Sequence, residues 1–229
     1  MSIKITIPDG AKELILTFVE TDGSAAETPA DPVVPVTPSG KKLKVALDAG
    51  HGGKDPGAVN QGQDASWAGD DIREKEGTLA IAQAVQVGME MLGWEVLMTR
   101  SDDTYIGLGK RAEMANEWGA DVFISIHLNS AESDQATGIE TLRYPTTNPI
   151  TIALAANLQE RMVAELGLRN RGVKERNDLT VLKKTKMPAA LCELGFISNK
   201  AVTEGLYDKD FIAKAAKAII QGVEMTFNE

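Results

Sequence analysis

Two histidines occur in the 229 residues, His51 and His127, and each follows a short apolar run. His51 sits in "LDAGHGG" and His127 ends "DVFISIH". Imidazole and carboxylate together are ligands that suit zinc, and a catalytic zinc commonly takes three protein ligands and leaves a position for water. The single cysteine, Cys192, lies inside the apolar run "PAALCELGF", so a third ligand is expected to be Asp or Glu. One histidine at a strand end is usually structural. Two that converge with a carboxylate favour a metal site.

That convergence requires a fold that brings separate run ends together. From residue 43 the sequence alternates between strand and helix patterns. "KLKVALDA", "WEVLMT", "DVFISIH" and "PAALCELGF" read as strands, and "GIETLRY" as a further one. Between them lie helices over about 74–92, over "LGKRAEMANEW", over about 150–166, and a last one with Ile212, Ala215, Ile219, Val223 and Phe227 on one stripe. Strands separated by helices imply parallel crossovers, so the expected class is α/β, a mostly parallel sheet with helices on both faces. Ligands in such sheets bind beyond the carboxyl ends of the strands, where His51, His127 and Glu193 all fall.

The helix after the first loop offers two acids. Glu74 projects about 20° from Ile81 and therefore toward the sheet, whereas Glu76 projects about 140° away. Glu74 is thus the better ligand, and Glu76 is expected to favour the helix N-terminus from outside. Glu193, near the end of a buried strand, has two readings. It pairs with an arginine, Arg100 or Arg111, or it is a general base beside a metal-bound water. Adjacent strand residues point to opposite faces, so Cys192 should turn away from whatever Glu193 faces.

Residues 1–20 alternate as a strand pair of unknown role (Ile3, Ile5 and Ile7, then Leu14, Leu16 and Phe18 across Asp9-Gly10), and residues 21–41 read as a Pro/Thr/Ala-rich linker before a domain over 42–229. The formal net charge of −9 argues against nucleic acid as a partner. No apolar run reaches the roughly 20 residues of a membrane span. The N-terminus lacks a signal-peptide pattern, so the expectation is synthesis in the cytoplasm and release by lysis or a holin-type route. Oligomeric state is not legible.

The motifs "LDAGHGGKDPGA", "EKEGTLAIA", "LMTRSDDTYIGLGKRAEMAN", "ADVFISIHLNS", "RGVKERNDLTVL" and "MPAALCELGFISN" occur in order over about residues 43–227. Through them the chain resembles the zinc-dependent N-acetylmuramoyl-L-alanine amidases of the type 3 amidase family. The resemblance implies one zinc ion held by His51, Glu74 and His127, with Glu193 as the catalytic glutamate. The implied substrate is peptidoglycan, cut at the amide between N-acetylmuramic acid and L-alanine, as by an endolysin or autolysin. The chain departs from the family pattern in the longer segment "QGQDASWAGDDI" before Glu74 and in "EKEGTL". Asp48 is read either as an acceptor orienting His51 or as a turn closure, and Asn129 either as a substrate contact or as a loop cap. Lys54 and Asp55 are read as solvated turn residues. Two other readings use the same residues: a zinc metallopeptidase cutting within the stem peptide, and a wall-binding module without catalysis.

Overall fold

The computed structural model describes residues 2–6, 15–19, 42–60, 72–199, 203 and 208–227. The chain divides into two compact units, Met1–Ser39 and Gly40–Glu229. In the first, β1 (Ser2–Thr6) pairs antiparallel with β2 (Ile15–Val19), with Ile3 opposite Phe18 and Ile5 opposite Leu16. The expected linker over 21–41 and most of the long segment before Glu74 lie outside the described residues.

The second unit starts with β3 (Lys44–Ala49), a small antiparallel pair β4 (Val59–Asn60) and β5 (Ile72–Arg73), and α1 (Glu74–Met91). It continues with β6 (Glu95–Met98), α2 (Leu108–Trp118), β7 (Val122–Asn129), β8 (Ile139–Arg143) and α3 (Pro149–Leu166). It ends with β9 (Asn170–Glu175), α4 (Thr180–Lys184), β10 (Ala189–Phe196) and α5 (Lys209–Phe227). Six strands form one sheet in the order β6-β3-β7-β10-β8-β9. The first four are mutually parallel, while β8 runs against β10 and β9 follows the direction of β8. "GIETLRY" is therefore a strand, but a reversed one. Segment 130–138 before it is too short for a parallel crossover, which needs about a dozen residues. Edge strand β9 is too polar to show a strand pattern in the sequence.

Helices cover both faces. α1 packs on β3, β6 and β7, α3 packs on β8, β9 and β10, and α5 lies against both helices. On the opposite face, Ala115 of α2 and Val181 and Leu182 of α4 share an apolar cluster with Ala46, Phe123, Leu142 and Leu191. These four sheet residues fall in two successive bands: Ala46 registers with Phe123, while Leu191 and Leu142 register with Ser125, two residues beyond Phe123. The alternation of side chains makes the next band on the same face predictable. Two residues beyond Ala46 and Phe123, Asp48 registers with Ser125; two residues beyond Leu191, Glu193 registers with His127 on one side and Glu140 on the other. Strand by strand, apolar positions under the helices thus give way to polar ones toward the carboxyl ends of the parallel strands, and Glu193 forms a polar row with His127 and Glu140.

Candidate metal centre

His51 lies two residues past β3 and is the one described non-glycine residue in the left-handed region, with φ 63°. For a residue with a Cβ this conformation costs on the order of 1–3 kcal/mol and persists only when its surroundings enforce it. The enforcing groups are two buried arginines. Arg111 donates to the His51 carbonyl at 2.5 Å and to the Ala49 carbonyl at 2.6 Å. Arg100 donates to the Ala49 carbonyl at 2.9 Å and to those of Gly50 and Lys75 at 2.8 and 2.7 Å. The Gly53 carbonyl accepts from Lys75 Nζ, which also pairs with Asp103 at 2.6 Å. The loop is further joined to α1, whose Glu74 and Lys75 amides donate to the Ala58 and Pro56 carbonyls. Gly50 and Gly57 allow close approach here: a Cβ at Gly50 would collide with the His127 ring, and one at Gly57 would lie 2.6 Å from Glu74 Oε2.

Asp48 belongs to this brace. Its buried carboxylate accepts from Thr99 and Ser125, both at 2.7 Å, and from Arg111 at 2.8 Å. It therefore does not orient the His51 ring as an acceptor; it holds Arg111, which holds the His51 backbone. The group beside the ring is Asp55, read from sequence as a solvated turn residue. Its Oδ2 lies 3.0 Å from His51 Nδ1, without an aligned hydrogen bond. The i,i+4 spacing of His51 and Asp55 was the one signal in the sequence for that contact. Neither arginine pairs with Glu193, because both are committed to the loop.

Glu74 is the first residue of α1 and is buried, while Glu76 is exposed, as the helical projection requires. Glu74 Oε2 lies 3.1 Å from His51 Nε2 and accepts from the Ala58 amide at 2.9 Å. Oε1 lies 2.9 Å from His127 Nδ1 and accepts from the Leu128 amide at 3.0 Å. Burial opposes its ionisation, but the hydrogen bonds with His127 and His51 outweigh burial and hold its carboxyl well below the usual carboxylate range. Burial likewise opposes the charged form of His127, and the Glu74 carboxylate overcomes it and moves its pKa up. The two imidazoles meet edge to face with centroids 4.9 Å apart. One ligand atom from each of His51, Glu74 and His127 lies within 4.8 Å of the others, a donor set that can hold one metal ion.

Glu193 stands beside His127 in register on β10. Its Oε2 is shielded from solvent and has no hydrogen-bond partner among the described residues. Burial pushes its carboxyl up to about 7. Cys192, one residue earlier, is fully buried on the other face of the sheet, where burial pushes its thiol far up and leaves it inert. Asn129 caps the turn after β7 by accepting from the Ser130 amide at 2.8 Å, and its amide group donates to Glu140 at 3.0 Å.

An α/β fold that gathers two imidazoles and a carboxylate able to hold a metal ion, with Glu193 in register beside one of them, defines a class of candidate hydrolase. The family model described as N-acetylmuramoyl-L-alanine amidase matches residues 45–225, and the chain belongs to that family. It is 35% identical over 188 residues to the sporulation-specific N-acetylmuramoyl-L-alanine amidase of Bacillus subtilis, covering 81% of this chain and 69% of that one. Among solved structures it resembles the N-acetylmuramoyl-L-alanine amidase of Clostridium difficile 630, with a TM-score of 0.75 and 33% identity, over 80% of this chain and 96% of that one. It also resembles the catalytic domain of CwlV, an N-acetylmuramoyl-L-alanine amidase from Bacillus (Paenibacillus) polymyxa, with a TM-score of 0.72 and 34% identity, over 80% and 97% of the two chains.

Proposed function

We propose that residues 42–229 form the catalytic domain of a zinc-dependent peptidoglycan hydrolase, with His51, Glu74 and His127 holding the ion and Glu193 as the catalytic acid–base. The activity itself follows from the family: a cell-wall hydrolase that cleaves the amide between N-acetylmuramic acid and L-alanine. The observation that carries the residue roles is the pairing of a two-imidazole, one-carboxylate donor set with an unpartnered carboxylate in register beside it. Two nitrogens and one oxygen suit zinc, and three protein ligands leave room for water or substrate.

A zinc ion held there would supply Lewis acidity, polarising the scissile carbonyl and making an attacking water more acidic. The rest is done by the chain. Asp48, Arg111 and Arg100 fix the loop that presents His51. Leu128 and Ala58 amides fix both oxygens of Glu74, so the carboxylate is aimed before anything binds. Glu193 has a free, shielded oxygen and a carboxyl that titrates near neutrality, so it can take a proton from water and return it to the leaving nitrogen of L-alanine. The proposed partner is the peptidoglycan of the wall, as the family's activity requires; among the described residues no helix is long and apolar enough to cross a membrane.

Digestion of purified peptidoglycan followed by mass analysis tests the reading. Free stem peptides beginning at L-alanine, with intact glycan strands, are expected. Cuts inside the stem would replace the amidase with a peptidase.

A further inference from the structure

The polar row that contains His127 and Glu193 does not stop at β10. It continues to Glu140 on β8 and then to two cations on β9. Glu140 accepts from Arg171 Nε at 2.8 Å, from Asn129 at 3.0 Å, and from Lys174. Arg171 and Lys174 are three residues apart, and in a regular strand they would point to opposite faces. A break in register makes them neighbours: Ile139 pairs with Asn170, but Thr141 pairs with Val173, so Arg171 and Gly172 together stand opposite Glu140. Gly172, at φ 79°, supplies a left-handed residue at the break, where the lack of a Cβ avoids strain. The bulge turns Arg171 into the row that ends at Glu193.

Arg171 is held, but its donors are not exhausted. Its guanidinium lies 4.8 Å from the centroid of the buried Phe196 ring, and Nε is bound to Glu140. Its two Nη groups have no hydrogen-bond partner among the described residues, and the side chain keeps 29% of its surface exposed. Two cations on one carboxylate leave the cluster with a surplus positive charge. The stretch "RNRGVKER", residues 169–176, carries four basic residues and one acid in a chain of net charge −9. This local reversal of sign sits two strand spacings, about 10 Å, from Glu193.

We propose that Arg171, supported by Lys174 and Glu140, forms an anion subsite for a carboxylate of the stem peptide, within two or three residues of the scissile amide. The inference rests on the amidase reading above. An extended peptide advances about 3.3–3.6 Å per residue, so a chain lying across β10, β8 and β9 brings its second or third residue to Arg171. Planar, fork-shaped donors that are pre-ordered by stacking suit a carboxylate, and the unused Nη groups offer it a paired hydrogen bond. Glu140 aims Arg171 and Lys174 rather than neutralising them both.

The test uses synthetic muramoyl tripeptides with the free carboxylate of residue two, or that of the residue-three side chain, amidated one at a time. The full-length protein is expected to prefer the free acid at one of the two positions by roughly 10- to 100-fold in kcat/KM, the range for a charged hydrogen bond. Arg171→Gln should collapse that ratio toward one, and Arg171→Lys should restore part of it. Because the readout is a ratio within each variant, a loss of folded protein does not mimic it. A wild-type ratio near one at both positions, or a ratio that survives Arg171→Gln, overturns the subsite. Failure of the wild type to free the L-alanine amine from the lactyl carbonyl in any of these substrates would overturn the assigned reaction instead.

Discussion

The two halves of the sheet treat their polar groups in opposite ways. On the β6-β3-β7 side, Asp48, Arg100, Arg111, Lys75, Thr78, Thr99 and Ser125 are buried and bound to one another or to loop carbonyls. On the β10-β8-β9 side, Glu193 Oε2 has no partner among the described residues, the register is broken twice, and two cations crowd one carboxylate. A satisfied network rigidifies what it surrounds; an unsatisfied buried group is costly and persists where it meets a ligand. On the proposed reading, the first half is the scaffold that would fix the ion, and the second is the surface that would receive substrate.

The comparison breaks most visibly at the reacting groups. Glu193→Ala should lower kcat/KM by roughly 10²- to 10⁴-fold while the zinc content of the purified protein stays at one, whereas His127→Ala should lose both ion and lysis. Equal loss of zinc in the two variants would place Glu193 in the scaffold. On the scaffold side, Asp48→Ala strands Arg111 without its counter-charge and should cost about 3–5 kcal/mol in denaturant unfolding. It should also weaken zinc binding, since the His51 backbone loses its hold. A well-folded Asp48→Ala protein with unchanged zinc affinity would separate the brace from the ion.

The smallest effect expected is a pH dependence at Glu140. Burial opposes its ionisation, but Lys174 and Arg171 outweigh burial and hold its carboxyl below the usual range. A depressed folded-state pKa gives stability that is present above the unfolded value of about 4.3 and is lost as pH falls through the lower folded value. Glu140→Gln should therefore unfold more easily than the wild type at pH 7, with the difference fading as pH falls through the lowered folded-state value. A difference that is constant with pH would make the contact a packing one.

Much of this was legible in the sequence, for reasons of period. Glu74 faces the site and Glu76 faces water because a helix repeats every 3.6 residues, and Cys192 and Glu193 part because a strand repeats every two. Patterns of hydrophobicity carry no direction, so the reversal of β8 was not readable in "GIETLRY" and came from the short connection before it. Nor do they report on strands such as β9, where polar side chains reach both faces. Asp48 and Asp55 depart from their sequence readings for a different reason. Which carboxylate lies beside the His51 ring depends on the left-handed turn at that residue, and residue type alone gives little warning of a positive φ outside glycine.

The bulge in β9 has a consequence unrelated to catalysis. An open sheet ends in a row of unpaired amides and carbonyls onto which another chain can add a strand, and long, flat, apolar edges do this most readily. Here one border is the four-residue β6, and the other is kinked at Gly172 and studded with arginine and lysine. Neither offers a template for runaway self-association. The strand that we propose reads the peptide is thus also a poor template for sheet-to-sheet pairing between copies.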